Sequence, residues 1–428
     1  MSDREVRIHF IGSPEKVGRA AYLIESKGKQ LVLDYGVELT KPPKLPLSLV
    51  PQKIYGVILT HAHLDHVGAA PYLYVSGSMP LYTTKATLEL TELLIKDFLK
   101  LSGEFLPFEY LDFTSMAQRA VFMDYDKPIK VPKTDFEIMF KYAGHIPGSA
   151  QVILYINRNG KYKILYTSDI NTYETRLQNA ANCDYDEEFD IVIIESTYGG
   201  DVHPNRRNLE IQFIETINET IENRGIALIP SFAIARSQEV LLILEQNNFK
   251  HTIVMDGMSL DATEILLKNE SFLKDPITLR KAYEKVKKIR RWRERKKIIK
   301  NPSAIIAPSG MLGGGTAVFY ISKLYKSAKN SILLVGYQPL GSPGRTLLEK
   351  GTLSLENIRL KVGASVHYFE FSSHTDKLGL KKILSSLSGD PLIVIVHGDE
   401  RGRMGLKEIA EEMGFRTFLP RTNDVISV

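Results

Sequence analysis

Between Thr60 and His66 the chain reads Thr-His-Ala-His-Leu-Asp-His, which puts His61, His63, Asp65 and His66 in a span of six residues. Neutral imidazoles and a carboxylate are the donors that zinc takes, and three crowded histidines have little use in an apolar core. His61 and His63 can address one ion. Asp65 and His66 can turn to its neighbour if the chain opens into a helix there. Two ions about 3.5–4 Å apart can activate a nucleophile and neutralise a phosphoryl oxygen during displacement. Such a pair needs further ligands, and three residues at the ends of strand-like segments qualify: His145 in AGHIPG, Asp169 in LYTSDIN and His397 in IVIVHGD.

Ligands so far apart in the chain require strands that end at a common edge. VRIHFIG, AAYLIE and KQLVLDYG read as a meander, and KIYGVILT at 53–60 as a buried strand that delivers the histidine cluster at its end. A helix is predicted over 86–101, followed by strands and hairpins in IKVP, FEIMFKYAG, AQVILYINRNGKYKILYTSD and FDIVIIEST. After Tyr198-Gly199-Gly200 the pattern changes to alternating helix and strand. We read 203–345 as a second α/β domain inserted into the first, so that 1–202 and 346–428 fold together, because the metal-like positions on either side need one another.

The chain of 428 residues is 43% hydrophobic and 25% charged, which excludes a wholly disordered protein. Cys183 is the only cysteine, so there is no intrachain disulfide and no multi-cysteine metal site. No apolar run approaches the roughly 18 residues of a membrane span, and a soluble, cytoplasmic protein is expected. The net charge of +5 is concentrated: Arg280–Lys300 holds twelve basic and two acidic residues. Tyr283, Val286, Ile289 and Trp292 recur there every three residues, predicting a helix that buries an aromatic-containing stripe, Trp292 included, while its charges face water or guide a polyanion.

Seven markers together give the chain its resemblance: Asp34 in LVLDYG, the HAHLDH cluster, His145, Asp169, Glu195 in ESTYG, His374 in FSSHTD and His397 in VHG. In these it strongly resembles the β-CASP nucleases of the metallo-β-lactamase superfamily, over nearly its whole length. The resemblance implies an αββα metallo-β-lactamase sandwich with an inserted β-CASP α/β cap. It implies two zinc ions, one bound by His61, His63 and His145, the other by Asp65, His66 and His397, with Asp169 and a hydroxide bridging them. That hydroxide would attack phosphorus in line. His374 would supply the proton for the leaving 3′-oxygen, Glu195 would orient His374, and Asp34 would orient ligands from behind. Asp65, Asp169, Glu195 and His374 are thus the expected catalytic residues, and Arg236, Ser309, Gly310, Ser342 and Arg345 the expected substrate contacts.

Taken singly, several of these residues have plainer readings: Asp34 as a turn residue, Glu195 as an acceptor for local amides, Arg236 as a brace, and the glycine-rich loops PSGMLGGG and GYQPLGSPGR as turns. No complete P-loop is present in either. The histidine at 397 and the ESTYG segment resemble RNA-processing members, in particular archaeal cleavage and polyadenylation specificity factor type nucleases without an amino-terminal RNA-binding extension. The implied partner is single-stranded RNA, cut endonucleolytically, 5′-to-3′ exonucleolytically or both, by a homodimer or within an RNA-processing complex. The alternatives are a DNA nuclease, a small-substrate metallo-hydrolase, and a noncatalytic subunit, against which the intact ligand set counts.

Overall fold

The computed structural model describes residues 6–158, 160–339, 341–355 and 358–428; the first five residues and Leu340, within the second glycine-rich loop, lie outside them. The chain divides into two compact units. One comprises residues through Glu174 with Gln178–Val202 and Ser373–Val428; the other comprises Thr175–Leu177 and His203–Ser372.

The first unit is built on two seven-stranded sheets. In the first, the meander Val6–Phe10, Ala21–Ser26 and Lys29–Tyr35 is antiparallel, and Ile54–Ile58, Leu81–Thr83 and Ala120–Phe122 continue it in parallel. In the second, Phe136–Tyr142, Ala150–Arg158 and Gly160–Tyr166 pair antiparallel, then Ile191–Glu195 and Leu392–Val396 add on in parallel. Alternation decides the faces. Val6, Ile8 and Phe10 point into one apolar cluster with Ile24, Leu33, Ile138, Val152, Ile164 and Val394, drawn from both sheets. The outer face of the first sheet packs Val32 and Val57 against Ile95 and Phe98 of the helix Lys85–Ser102. The outer face of the second packs Val192 and Ile395 against Ile383 and Leu406 of the helices Lys377–Ser385 and Glu400–Glu412. This is the αββα sandwich, and each fully buried Val, Leu or Ile stabilises it by about 1.5–3 kcal/mol relative to exposure.

The second unit holds a parallel six-stranded sheet in the order Lys287–Ile289, Ile253–Asp256, Ser303–Ala307, Ile226–Pro230, Ser331–Leu334, Ser365–Tyr368. Its central strands, such as IALIP and SAIIA, are buried throughout, as strands covered on both faces must be. The expected return to the first domain at 346 falls earlier than the observed return at Ser373. Residues 346–372 stay with the second unit because Ser365–Tyr368 extends its sheet beside Ser331–Leu334. Among the described residues, no helix is long and apolar enough to cross a membrane.

The basic segment corrects a second expectation. It is not one helix but the end of Pro276–Lys285, the edge strand Lys287–Ile289 and the helix Trp292–Ile298. Tyr283, Val286 and Ile289 are buried as expected, but Trp292 is 55% exposed. A three-residue spacing persists across a helix end and a strand, so it places three apolar side chains inward without fixing the fourth.

Candidate metal centre

The site residues of the first unit sit at the carboxyl ends of neighbouring strands. The parallel register pairs Tyr166 with Ile193 and Glu195 with Val396, so the segments leaving these strands carry Asp169, Glu195 and His397 out at one edge. His63 lies just before the short helix Leu64–Val67, which puts Asp65 and His66 in its first turn. Gly36 and Gly398 make the close approaches this needs. A Cβ on Gly36 would fall 1.7 Å from the Asp65 carbonyl oxygen, and one on Gly398 would fall 2.4 Å from Ser196 Oγ. Asp34, Ser168 and His397 all have positive φ, at 55°, 51° and 51°. Such backbone costs on the order of 1–3 kcal/mol per residue and persists only where surrounding packing enforces it.

Two groups of side chains that could hold a metal ion result: His61, His63, His145 and Asp169, and Asp65, His66 and His397. His145 Nε2 lies 3.1 Å from His63 Nδ1, and His66 Nε2 lies 3.3 Å from His397 Nε2. Asp169 faces both groups with different oxygens. Its Oδ2 is 3.4 Å from His61 Nε2 and 3.6 Å from His145 Nε2, while its Oδ1 is 3.3 Å from His66 Nε2. Asp65 reaches His397 Nε2 at 3.5 Å.

The residues fit a metal on their own chemistry. Among the described residues, His61 Nε2 and Asp169 Oδ1 are buried without a hydrogen-bond partner and have only the ionic neighbours given above, an arrangement that a metal would complete. Burial first, then neighbouring imidazoles, holds His61 and His145 well below the ordinary histidine range, and burial pushes His63 down to about 4. All three are therefore neutral and able to ligate. Burial would also lower His66, but the charges of Asp169 and Asp34 carry it well above that range. Burial would raise Asp169, yet the surrounding imidazoles, first that of His397 and then that of His66, hold it well below the usual carboxylate range.

Behind the ligands, hydrogen bonds set ring orientation. His66 Nδ1 donates to Asp34 Oδ2 at 2.8 Å, His145 Nδ1 to the Ser373 carbonyl at 2.8 Å, and His397 Nδ1 to Thr197 Oγ1 at 3.2 Å. Asp34 also accepts from the Thr60 amide and hydroxyl and from the Tyr166 hydroxyl. Sequence reasoning named Asp34 and missed the rest of this layer. Thr60, Ser168 and Thr197 are legible as near neighbours of ligands; Tyr166 carried no signal, because strand pairing alone delivers it. Replacing Asp34 with Asn should weaken metal binding by about 10–100-fold, read by competition with a chromophoric chelator. Unchanged affinity would reduce Asp34 to a strand-end structural residue.

A third group, Asp169, Glu195 and His374, adjoins the other two. His374 Nδ1 lies 3.0 Å from both Glu195 oxygens, and its Nε2 is 4.0 Å from Asp169 Oδ2. Burial alone would lower its pKa, but the charges of Glu195 and Asp169 push it up to about 9. Glu195 also accepts from the Ile170 amide at 2.7 Å, so it satisfies local backbone and holds His374 at once.

In the second unit the two glycine-rich loops meet. Gln338 Nε2 donates to the Gly310 carbonyl, and the Gly344 amide to the Met311 carbonyl. The Ser309 hydroxyl turns back to the Gly314 carbonyl at 3.4 Å. Arg236 begins the helix Arg236–Gln246 and is buried. Ser342 caps the helix Pro343–Lys350 by accepting from the Arg345 amide, and Arg345 pairs with Glu349 at 2.6 Å. The last two side chains thus have local roles.

Residues 15–173 match the family model of the metallo-beta-lactamase superfamily, 237–347 that of the Beta-Casp domain, and 359–420 that of a Zn-dependent metallo-hydrolase RNA specificity domain. The chain is 36% identical to "RNase aCSPSF2" of Saccharolobus solfataricus over 98% of its own length and 85% of that protein. It is 34% identical to "Probable RNase MJ4" of Methanocaldococcus jannaschii over 99% of this chain and 100% of that one. It is 31% identical to "Transcription termination factor FttA" of the same organism, over 100% of this chain and 72% of that protein. A solved structure of a protein of unknown function from Enterococcus faecalis shares the fold at a TM-score of 0.63 and 16% identity, covering 99% of this chain and 100% of that one. The αββα sandwich with its clustered His and Asp side chains defines a metallo-β-lactamase fold protein. Within that superfamily, this chain belongs to the β-CASP family.

Proposed function

We propose that this protein is a zinc-dependent ribonuclease that hydrolyses phosphodiester bonds of single-stranded RNA in the cytoplasm, in RNA processing or decay, as an endonuclease, a 5′-to-3′ exonuclease or both. The observation that carries this reading is His374, held by Glu195 beside Asp169. Metal-binding clusters serve many hydrolases. A histidine kept cationic next to them serves the expulsion of an alkoxide such as a ribose 3′-oxygen, whose departure needs a proton. RNA is further supported by the relatives named as RNases and by the RNA specificity domain matched at 359–420.

His61, His63 and His145 would hold one zinc and Asp65, His66 and His397 the second, with one oxygen of Asp169 toward each. When bound, the ions would supply an activated nucleophile at neutral pH and neutralise charge on the phosphoryl oxygens. The chain's own part is proton delivery and positioning. His374 gives its Nε2 proton to the leaving oxygen as the P–O3′ bond breaks, and Glu195 keeps hold of Nδ1. The products are a 3′-hydroxyl and a 5′-phosphate. In the second unit, Arg236, Ser309, Gly310, Ser342 and Arg345 are the proposed substrate contacts. Assembly as a homodimer or into an RNA-processing complex belongs to the same reading.

The zinc-loaded protein should be given end-labelled 5′-monophosphate, 5′-triphosphate and circular single-stranded RNAs, with matched DNAs. Cleavage of circular RNA establishes endonucleolytic action. Cleavage of linear RNA alone, graded by the 5′ end, establishes the exonuclease. Preference for DNA transfers the site to a DNA nuclease, and no cleavage of either rejects the reading.

A further inference from the structure

The basic segment of the second unit holds a feature that the metal centre does not use. Trp292 is the chain's only tryptophan, and it stands 55% exposed among cations. Its ring is held from beneath. Phe319, on the helix Gly315–Leu324, packs against it with centroids 4.6 Å apart, and the Arg295 guanidinium sits 5.2 Å from the ring centroid. Arg295 is itself fixed: its Nε and a terminal nitrogen donate to the two oxygens of Asp256 at 2.7 and 2.8 Å. Asp256 is fully buried and also accepts from the Tyr320 hydroxyl at 2.7 Å. A large apolar ring is thus oriented by a buried ion pair and left open to solvent.

The surrounding cations divide into two sets. Arg290 is engaged by Asp261 and Glu264, Lys285 by Glu245, and Lys288 lies 3.8 Å from the centroid of the Tyr283 ring. Arg291, Arg293, Lys296 and Lys297 are exposed and have no ion pair among the described residues. Within the helix Trp292–Ile298, positions 292, 293, 296 and 297 share the solvent side, while Ile298 is buried on the other. The uncommitted charges therefore flank the open indole. Basic side chains that track a backbone, beside an aromatic ring on which a base can stack, are the elements of single-strand recognition.

We propose that Trp292, with Arg291, Arg293, Lys296 and Lys297, forms a binding site for single-stranded RNA on the second unit, in which one base stacks on the indole and flanking phosphates meet the four cations. The site rests on the reading of RNA as substrate and adds to it a contact surface outside the metal centre. The engaged cations Lys288 and Arg290 are not part of it. Charge alone would have counted every lysine and arginine of the segment equally.

Because Trp292 is the only tryptophan, emission excited beyond the tyrosine absorption band reports on this position alone. Stopped-flow mixing of the zinc-loaded protein with a 12-nucleotide single-stranded RNA, read before turnover, should quench the emission saturably. Anisotropy with the same RNA carrying a 3′ fluorophore should show Trp292→Ala weakening binding by about 5- to 150-fold, the range of one lost base stack. Trp292→Phe, which keeps a ring, should lose less. Changing Arg293, Lys296 and Lys297 together to Gln should flatten the dependence of log affinity on log salt by about 2 units, at roughly 0.7 per phosphate on a single strand. Arg290→Gln should leave that slope unchanged. Wild-type RNA binding by anisotropy without quenching, or with unaltered affinity in a folded Trp292→Ala protein, overturns the site and leaves the ribonuclease reading intact. Emission that shifts with protein dilution in the absence of RNA gives the ring to a second copy of the chain, and equally overturns it. Failure of the wild-type protein to bind or cut RNA at all rejects both readings together.

Discussion

His374→Ala is expected to slow single-turnover cleavage of a single-stranded RNA by about 100- to 10,000-fold, the usual contribution of a positioned proton donor, with zinc content and folding unchanged. The expectation rests on placement. His374 Nε2 faces Asp169 at 4.0 Å while Glu195 occupies its other nitrogen at 3.0 Å. Elemental analysis and circular dichroism of the variant are the necessary controls. Loss of zinc would make His374 a ligand, and wild-type cleavage with normal zinc would falsify the leaving-group role. Glu195 acts through His374, so Glu195→Gln should give the smaller defect and a distinct signature. The negative carboxylate raises the imidazole to about 9, so its removal lowers that pKa, and the protonated form is then lost at lower pH. The alkaline fall of the pH–rate profile should move toward neutrality, which a merely structural Glu195 would not cause.

Asp169→Ala should have the larger effect on metal. One carboxylate oxygen faces His61 and His145 and the other faces His66, so its removal touches both ligand groups. Cleavage is expected to fall by at least roughly 1,000-fold, since Lewis-acid stabilisation of several kcal/mol is lost with the ions. Zinc measured per chain should drop for both sites. His397→Ala, which removes a member of one group only, should cost about one ion and spare the other. Retention of two ions by a folded Asp169→Ala protein would remove the bridging assignment and leave two independent sites.

The kinds of chemistry open to this chain were legible in the order of its residues. His61, His63, Asp65 and His66 lie so close in sequence that almost any backbone path brings them near one point, and the strand and turn patterns around His145, Asp169 and His397 already placed each at a strand end. Alternation assigned strand side chains to faces before any partner strand was known, whereas the αββα layering was implied by the resemblance alone. What the sequence could not decide depends on register and on depth of burial. The two oxygens of Asp169 face different groups only because segments leaving strands of both sheets meet at one edge. Tyr166 reaches Asp34 across the sandwich, over a separation in sequence that carries no periodic signal. The local partners of Ser342 and Arg345, a helix start and Glu349, could not be read from the loop's composition. Trp292 reads as core until the chain turns from strand to helix and leaves it outside on a fixed ion pair. Residue type and short-range spacing specify which groups a segment can present; only the packing of distant segments settles which neighbours satisfy them and which remain open to solvent.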